Sequence, residues 1–464
     1  MKTHRWCVVG GGILGMTLAL RLAQQGKSVT LMESAPSLGG LASAWNLGDV
    51  TWDRHYHVTL GSDSYTRSLL RELGLEHEMQ WKQTRTGFYV DSNLYSMSNT
   101  LEFLQFPPLR FIDKLRLGAN ILYASKVKNW KKLEKISAIE WLQRWSGRKT
   151  VEAIWAPLLR AKLGENYKEA SAAFIWATIA RMYAARQSGM KKEMFGYVPG
   201  GYARILDRFA EALLHAGVHI QLSQSVRQIE AIPGGQLRVE RSGGEEEFFD
   251  QVVITTPGPI IARLCPDLTQ HEKDLLRGIK YQGVICASLL LKKPLANFYV
   301  TNIVEPWVPF TAVIEMSALV DRKHFAGNAL VYLPKYVPSD SPDFDLTDDA
   351  LQTRFLQALE RMYPDFDRRD LLCFRVSRVR HVLAIPTINY SERLPPTATS
   401  VPGLHAINSS HILNGTLNVN ETLQLAEKAS ECLLSLSSSR THTKNGVNYE
   451  AVQALSQPLA GSRQ

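Results

Sequence analysis

Apolar residues along the 464-residue chain change their spacing several times, and each change marks an element. Trp6-Cys-Val-Val9 is an unbroken apolar run, the pattern of a short strand buried on both faces. Gly10 to Gly15 make a turn, Met16 to Gln25 repeat apolar residues at helical spacing up to Gly26, and Ser28 to Met32 form a second strand. The N-terminus is therefore expected to be a βαβ unit. Residues from about 64 to 185 read as predominantly helical, punctuated at Pro107-Pro108, Gly147, Pro157 and Gly164. Pro199-Gly-Gly201 opens a helix over 202–215, followed by strands at 218–222, 225–230 and 236–240 and by one strand from Phe248 to Thr256. Alternating segments near 284–291, 310–316 and 328–333 predict an antiparallel sheet, with helix again at 347–362. A strand at 404–407 and a helix at 420–435 close the periodic pattern. Beyond them few large apolar groups remain, which predicts a disordered tail over 437–464.

This length accommodates two or three domains. With 45% hydrophobic and 21% charged residues, wholesale disorder is excluded. No window holds the roughly 18 apolar residues that a membrane-spanning helix needs. The basic opening and its apolar run resemble a signal peptide, but Gly10, Gly11, Gly12 and Gly15 break the run and mark it as structure. The five scattered cysteines (Cys7, Cys265, Cys286, Cys373, Cys432) suggest neither disulfides nor zinc, so a reducing, cytoplasmic location is expected.

Charge is uneven along the chain. Residues 110–149 carry eleven Lys and Arg against Asp113, Glu134 and Glu140, which is most of the net +9. Leu115, Ala119, Leu122 and Tyr123 add helical apolar spacing, and Trp130, Trp141 and Trp145 add amphipathic rings. Such a stretch is either a solvated helical face or a peripheral contact with an anionic membrane through 101–149. No nucleic-acid-binding motif accompanies it, so no nucleic acid partner is expected.

The sequence Gly10-Gly-Gly12-Ile13-Leu14-Gly15 fits G-x-G-x-x-G and sits where its chemistry requires, after a strand and at the head of a helix. Gly10 permits the turn, Gly12 admits a pyrophosphate to the backbone, Gly15 lets helix and strand pack, and the helix head at Ile13 and Leu14 offers unpaired N–H groups. Glu33 ends the second strand 23 positions after Gly10, where a carboxylate accepts both ribose hydroxyls and repels a 2′-phosphate, which disfavours NADP. A second pair, Gly39-Gly40 followed by Leu41, lets another loop approach the same dinucleotide.

With that sequel the chain resembles the glutathione-reductase-like flavoproteins, in the branch of amine oxidases, protoporphyrinogen oxidases, phytoene desaturases and UDP-galactopyranose mutases. Further matching segments are Trp52-Asp-Arg-His-Tyr-His57, Phe195-Gly-Tyr-Val-Pro-Gly-Gly201, Ser225-Val226, Thr255-Thr-Pro257, Pro402 to Asn408, and Asn418-Val419-Asn420. The resemblance implies noncovalent FAD, with Val226 meeting adenine through its backbone and Asn408, Val419 and Asn420 closing on the flavin. It implies an α/β fold in which a Rossmann-like FAD-binding domain (1–75, 196–265, 396–436) holds an inserted α+β substrate domain. The insert comprises a helical part (76–195) and an antiparallel sheet (266–395).

The sequence also departs from the family pattern. Leu41 stands where an arginine is common, Asn408-Ser409 where the pattern reads Gly-Asp, and Cys286 where amine oxidases place a lysine facing flavin N5. Candidate catalytic residues are His57, which alternates with His55 on an extended segment, then Cys286, and Lys162 with Arg160 for an anionic substrate. His215 and His219 are separated by the helix stop at Gly217, so no metal is expected. The resemblance implies hydride transfer from an apolar or polycyclic small molecule to flavin N5, as in carbon–carbon or ring desaturation. A non-redox nucleotide-sugar mutase and a non-catalytic FAD-binding protein remain alternatives.

Overall fold

The computed structural model describes residues 4–127, 129–187, 194–413 and 415–439. A five-stranded parallel sheet forms one half. Its strands are β1 (Arg5–Val9), β2 (Ser28–Met32), β3 (His219–Gln221), β4 (Gln251–Ile254) and β5 (Leu404–Ala406), in the order β3-β2-β1-β4-β5. Helices α1 (Ile13–Gln24), α2 (Ser64–Glu72), α4 (Gly201–His215) and α5 (Val419–Ser439) pack on this half, whereas α3 (Phe111–Lys126) belongs to a separate helical layer. The unbroken apolar run of β1 explains its central place, because both faces are covered. Trp6 and Val8 pack with α1, α4 and α5, whereas Cys7 and Val9 pack beneath a three-stranded meander, Val226–Ala231, Leu237–Arg241 and Glu246–Phe249.

The strand expected from Phe248 to Thr256 is two strands in two sheets. At Asp250 the chain leaves the meander and enters the parallel sheet, where its N–H donates to the Arg5 carbonyl and its carboxylate accepts the Arg5 N–H. Likewise the 64–185 region is not helical throughout. Gln80–Gln83, Thr86–Val90 and Asn93–Ser96 are strands, the last two joined by a turn in which Asp91 and Ser92 both have positive φ.

Thr86–Val90 and Asn93–Ser96 complete a seven-stranded sheet in the order 371–384, 281–291, 329–338, 312–315, 300–303, 86–90, 93–96. Every neighbouring pair is antiparallel except Val300–Ile303 with Thr86–Val90. Tyr281–Leu291 is buried along its whole length. Ile285, Ala287 and Leu289 pack with helix Asp348–Met362, and Val284, Cys286 and Leu290 turn the other way, toward residues 45–60.

Outside that sheet, α3 is built inside out. Its polar Asp113, Lys114 and Asn120 are buried, with the Lys114 ammonium donating to the Leu104 carbonyl and the Asn120 amide to the Ser146 hydroxyl. Phe111, Ile112, Leu115, Leu122 and Tyr123 face outward, and with Leu101 and Leu104 they make seven of the eleven large exposed hydrophobics among the described residues. Trp130 and Trp141, expected as interfacial rings, are instead core residues; Trp145 alone of the three is partly exposed and stacks on Tyr123. Among the described residues no helix is long and apolar enough to cross a membrane.

The tail expected over 437–464 begins inside α5, which runs to Ser439; residues 440–464, and Lys128 of the basic stretch, lie outside the described residues. α5 is tied to the rest by polar contacts. Arg21 of α1 bridges Glu72 of α2 and Glu427 of α5, and Asn420 Oδ1 accepts the Tyr65 and Thr66 N–H groups at the head of α2. Asn420→Ala should remove that cap and cost about 1 kcal/mol in urea unfolding followed by circular dichroism.

Candidate active site

The glycine turn is fixed by close approach. A Cβ on Gly15 would lie 1.8 Å from the Gly10 carbonyl oxygen, and one on Gly10, whose φ is 109°, would lie 2.4 Å from Thr255 Oγ1. Gly12 differs from both. Its φ of −73° suits any residue, and a Cβ there would meet no protein atom within 4 Å. Neither packing nor strain accounts for that glycine, whereas a pyrophosphate laid against the backbone does. Gly39 and Gly40 close on the same turn: the Gly39 N–H donates to the Gly11 carbonyl at 2.8 Å, and a Cβ on Gly40 would lie 3.2 Å from Gly12 Cα.

Glu33 is held beside this turn. Its Oε2 accepts the Gly11 N–H at 2.6 Å, and its Oε1 accepts the Ala35 N–H at 2.8 Å and the Ser34 hydroxyl at 3.1 Å. Oε2 keeps a free lone pair, and the Ser34 hydroxyl can rotate away, so the carboxylate fits a ribose diol. The segment before Val226 is stitched to Glu33, since Gln224 N–H donates to the Glu33 carbonyl and Ser223 N–H to that of Ala35. This brings the start of the meander, Val226, to the same corner.

Three buried polar atoms beside the glycine loops and the ends of β4 and β5 have no hydrogen-bond partner among the described residues: Ser43 Oγ, Thr256 Oγ1 and Asn408 Nδ2. Asn408 is 1% exposed, and its Oδ1 is already used by the Ser410 N–H and hydroxyl. Its free amide donor fits the cofactor position that the resemblance gives this residue. The carboxyl ends of parallel strands are where such sheets bind ligands. At the head of α5, Asn418 Oδ1 caps the helix through the Glu421 N–H, and Val419 is the first helical residue. The Asn420 side chain caps α2 and contacts Glu421, which leaves its backbone at the head of α5 as the part that could face a cofactor.

Residues 53–57 carry the second part of the site. Asp53 is 2% exposed; its Oδ1 accepts the Tyr202 N–H at 2.7 Å, so it caps α4, and its carbonyl accepts the Tyr332 hydroxyl at 2.6 Å. Gly201 makes room, since a Cβ there would lie 2.6 Å from Asp53 Oδ1. The His57 ring packs 4.8 Å from the Tyr202 ring, with Nδ1 3.7 Å from Asp53 Oδ2. His55 Nδ1 meets the Leu41 carbonyl at 3.0 Å, and burial holds its pKa down to about 4, so its imidazole is neutral near pH 7.

Cys286 lies opposite this segment, in one cluster with Trp52, Tyr299 and Tyr332, with Tyr56 and Tyr336 packed against it. Burial pushes its thiol and the Tyr56, Tyr299 and Tyr332 phenols well above their ordinary pKa values, and raises that of Tyr336. A neutral, fully buried thiol packs as an apolar side chain in this cluster. Lys162 is half-buried with its ammonium 5.9 Å from the Phe174 ring centre, and burial with Arg181 nearby lowers its pKa. Arg160 is exposed and pairs with Glu165 and the Tyr167 hydroxyl, which is a surface role.

Asp53, Tyr202, Tyr56 and Tyr336 carry no recognisable sequence signal of their own. Asp53 sits inside the quoted Trp52–His57 segment, but its partner is a turn nearly 150 residues away. Only Gly200-Gly201 hints that something approaches the head of α4.

The model of the flavin-containing amine oxidoreductase family matches residues 15–434. The 15-cis-phytoene desaturase of Glycine max is 21% identical over 386 residues, covering 79% of this chain and 67% of the desaturase, so the chain spans about two thirds of that relative's length. Among solved structures, a protein of Exiguobacterium sp. 255-15 provisionally described as a protoporphyrinogen oxidase superposes with a TM-score of 0.74 at 19% identity, covering 94% of this chain and all of the other. Reduced UDP-galactopyranose mutase gives 0.71 at 15% identity, covering 96% of this chain and all of the mutase. These superpositions show the fold, and the family match begins at Gly15, the last residue of the glycine turn, and runs into the closing helix. The chain belongs to the flavin-containing amine oxidoreductase family and is an FAD-dependent oxidoreductase.

Proposed function

We propose that the protein removes a hydride from an apolar or polycyclic small molecule, leaving a new carbon–carbon double bond. The observation that carries this reading is the character of the wall facing residues 53–57: buried tyrosines held neutral and a neutral thiol, with no lysine on the Tyr281–Leu291 strand facing them. Such a wall excludes water and suits a substrate without charge at the reacting carbon. The likeness to a phytoene desaturase points the same way.

Bound FAD supplies the hydride acceptor. The chain binds and orients: Gly10, Gly12 and Gly15 admit the pyrophosphate, Glu33 takes the ribose, and Asn408 Nδ2 donates toward the flavin end. The N-terminal end of α5, with unpaired N–H groups near Val419, places positive potential there. His57, packed on the Tyr202 ring with its Nδ1 3.7 Å from Asp53 Oδ2, stands at the edge of this wall.

In the same reading, α3 meets an anionic bilayer. Its outward stripe of Phe111, Ile112, Leu115, Leu122 and Tyr123 lies among exposed Arg110, Arg116 and Lys126. An apolar stripe with a basic rim matches a lipid surface in both hydrophobicity and charge.

Purified protein should be yellow with releasable FAD. Gly12→Ala should lose FAD while keeping the melting temperature of the FAD-free protein. Gly15→Ala, which forces a Cβ onto the Gly10 carbonyl, should lose both, and equal stability losses in the two variants would overturn the assignment of Gly12 to the ligand. Under anaerobic conditions a desaturable substrate should bleach the flavin, and His57→Gln should slow bleaching about 10- to 100-fold while retaining FAD. Failure of every polyene or polycyclic candidate to bleach the wild-type protein would remove the dehydrogenase reading. Wild-type protein should cosediment with anionic vesicles, and the pair Leu115→Glu with Leu122→Glu should abolish it.

A further inference from the structure

Gln282 is fully buried on the Tyr281–Leu291 strand, and neither its Oε1 nor its Nε2 has a hydrogen-bond partner among the described residues. A buried amide with both ends unpaired costs free energy, so its retention calls for a partner.

The surroundings explain why the protein does not supply one. Gln282 stands opposite Pro338 on one neighbouring strand and Leu383 on the other, and neither side chain can donate or accept. Gly164, where a Cβ would lie 3.7 Å from Gln282 Nε2, contributes no side chain at all.

The register also says where the amide points. Val284 is opposite Tyr336, so Gln282, Val284 and Tyr336 share one face of the sheet, with Tyr336 the diagonal neighbour of Gln282. On that face the Tyr336 and Tyr56 hydroxyls lie 3.1 Å apart. One hydrogen bond between two phenols uses one of their two hydrogens and leaves the other to be donated. Tyr56 stands between His55 and His57, so this polar pair adjoins residues 53–57, beside Tyr332, whose hydroxyl is taken by the Asp53 carbonyl.

Resting on the dehydrogenase reading above, and narrowing it, we infer that Gln282 and the Tyr56–Tyr336 pair recognise a hydrogen-bonding substituent on the substrate. The substrate class is then an apolar molecule bearing a group that both donates and accepts, such as a hydroxyl, an amide or a protonated carboxyl. A bare hydrocarbon leaves the amide unpaired and is the poorer substrate. Gln282 acts as a positioning residue that sets which molecule is held.

The test compares wild type with Gln282→Leu, similar in size and without polar atoms, using anaerobic flavin bleaching by phytoene, by a hydroxylated phytoene and by protoporphyrinogen. Wild type should show a KM at least tenfold lower for the best polar probe than for phytoene. Gln282→Leu should raise that KM about tenfold with kcat little changed, and should leave phytoene unaffected. Equal kinetics of the two proteins on every probe, or a wild-type preference for phytoene, would overturn the inference. An activity-free readout accompanies it: the melting temperature of Gln282→Leu holoenzyme without substrate should equal or exceed that of wild type. A fall of several degrees would mean that protein groups or a trapped water already satisfy the amide, and the inference fails even where bleaching succeeds. Absence of bleaching by all probes with an unchanged melting temperature would instead count against the dehydrogenase reading alone.

Discussion

Everything in the nucleotide half depends on the absence of a side chain at Gly15. The first turn of α1 rests on the Gly10 carbonyl, at a distance that even a methyl group would forbid. That contact sets the angle at which α1 leaves β1, and the open N–H groups of its first turn therefore point along the ends of the parallel strands. From the far end of the same helix Arg21 reaches both α2 and α5, so the orientation fixed at one glycine is passed to the two helices that frame the site.

A second constraint couples the halves of the molecule. Asp53 meets two partners: its carboxylate takes an N–H from the first turn of α4, where intrahelical acceptors are lacking, and its backbone carbonyl takes the Tyr332 hydroxyl from the seven-stranded sheet. Residues 53–57 are thereby pinned between the nucleotide sheet and the substrate sheet, and His55 and His57 inherit defined positions without being in regular structure themselves. Removing the carboxylate leaves the Tyr202 N–H a buried orphaned donor, while the Tyr332 hydroxyl keeps the Asp53 backbone carbonyl.

How much was legible in the sequence depends on whether a signal is local. The βαβ unit, the glycine turn, Glu33 and the second glycine pair declare themselves within forty residues, since period, turn chemistry and charge all lie side by side. Strands Thr86–Val90 and Asn93–Ser96 read as helix because both are short, and because the partner that draws the first into the sheet, Val300–Ile303, is some 200 residues away. Asn420 looks like a cofactor residue in sequence, yet its side chain caps a helix 355 residues earlier. Trp130 and Trp141 look interfacial beside lysines, but helix faces decide burial, and theirs turn inward. Gln282 carries no signal at all, since one glutamine in a strand is unremarkable until its neighbours prove unable to bond it.

The order of strands in the parallel sheet dictates how the protein comes into being. β1, made first, sits between β2, its near neighbour in sequence, and β4, which is made some 240 residues later; β5, beyond residue 400, forms the edge, and α5 comes after it. During synthesis the βαβ unit must therefore wait, with one long side unpaired, through the emergence of the helices between residues 100 and 187. Such long-range closure is slow and leaves an apolar edge open to association with other chains. The nucleotide site is completed only when the last described helix has been made, so capture of the dinucleotide acts as a late lock on an already folded body rather than as a seed for its folding.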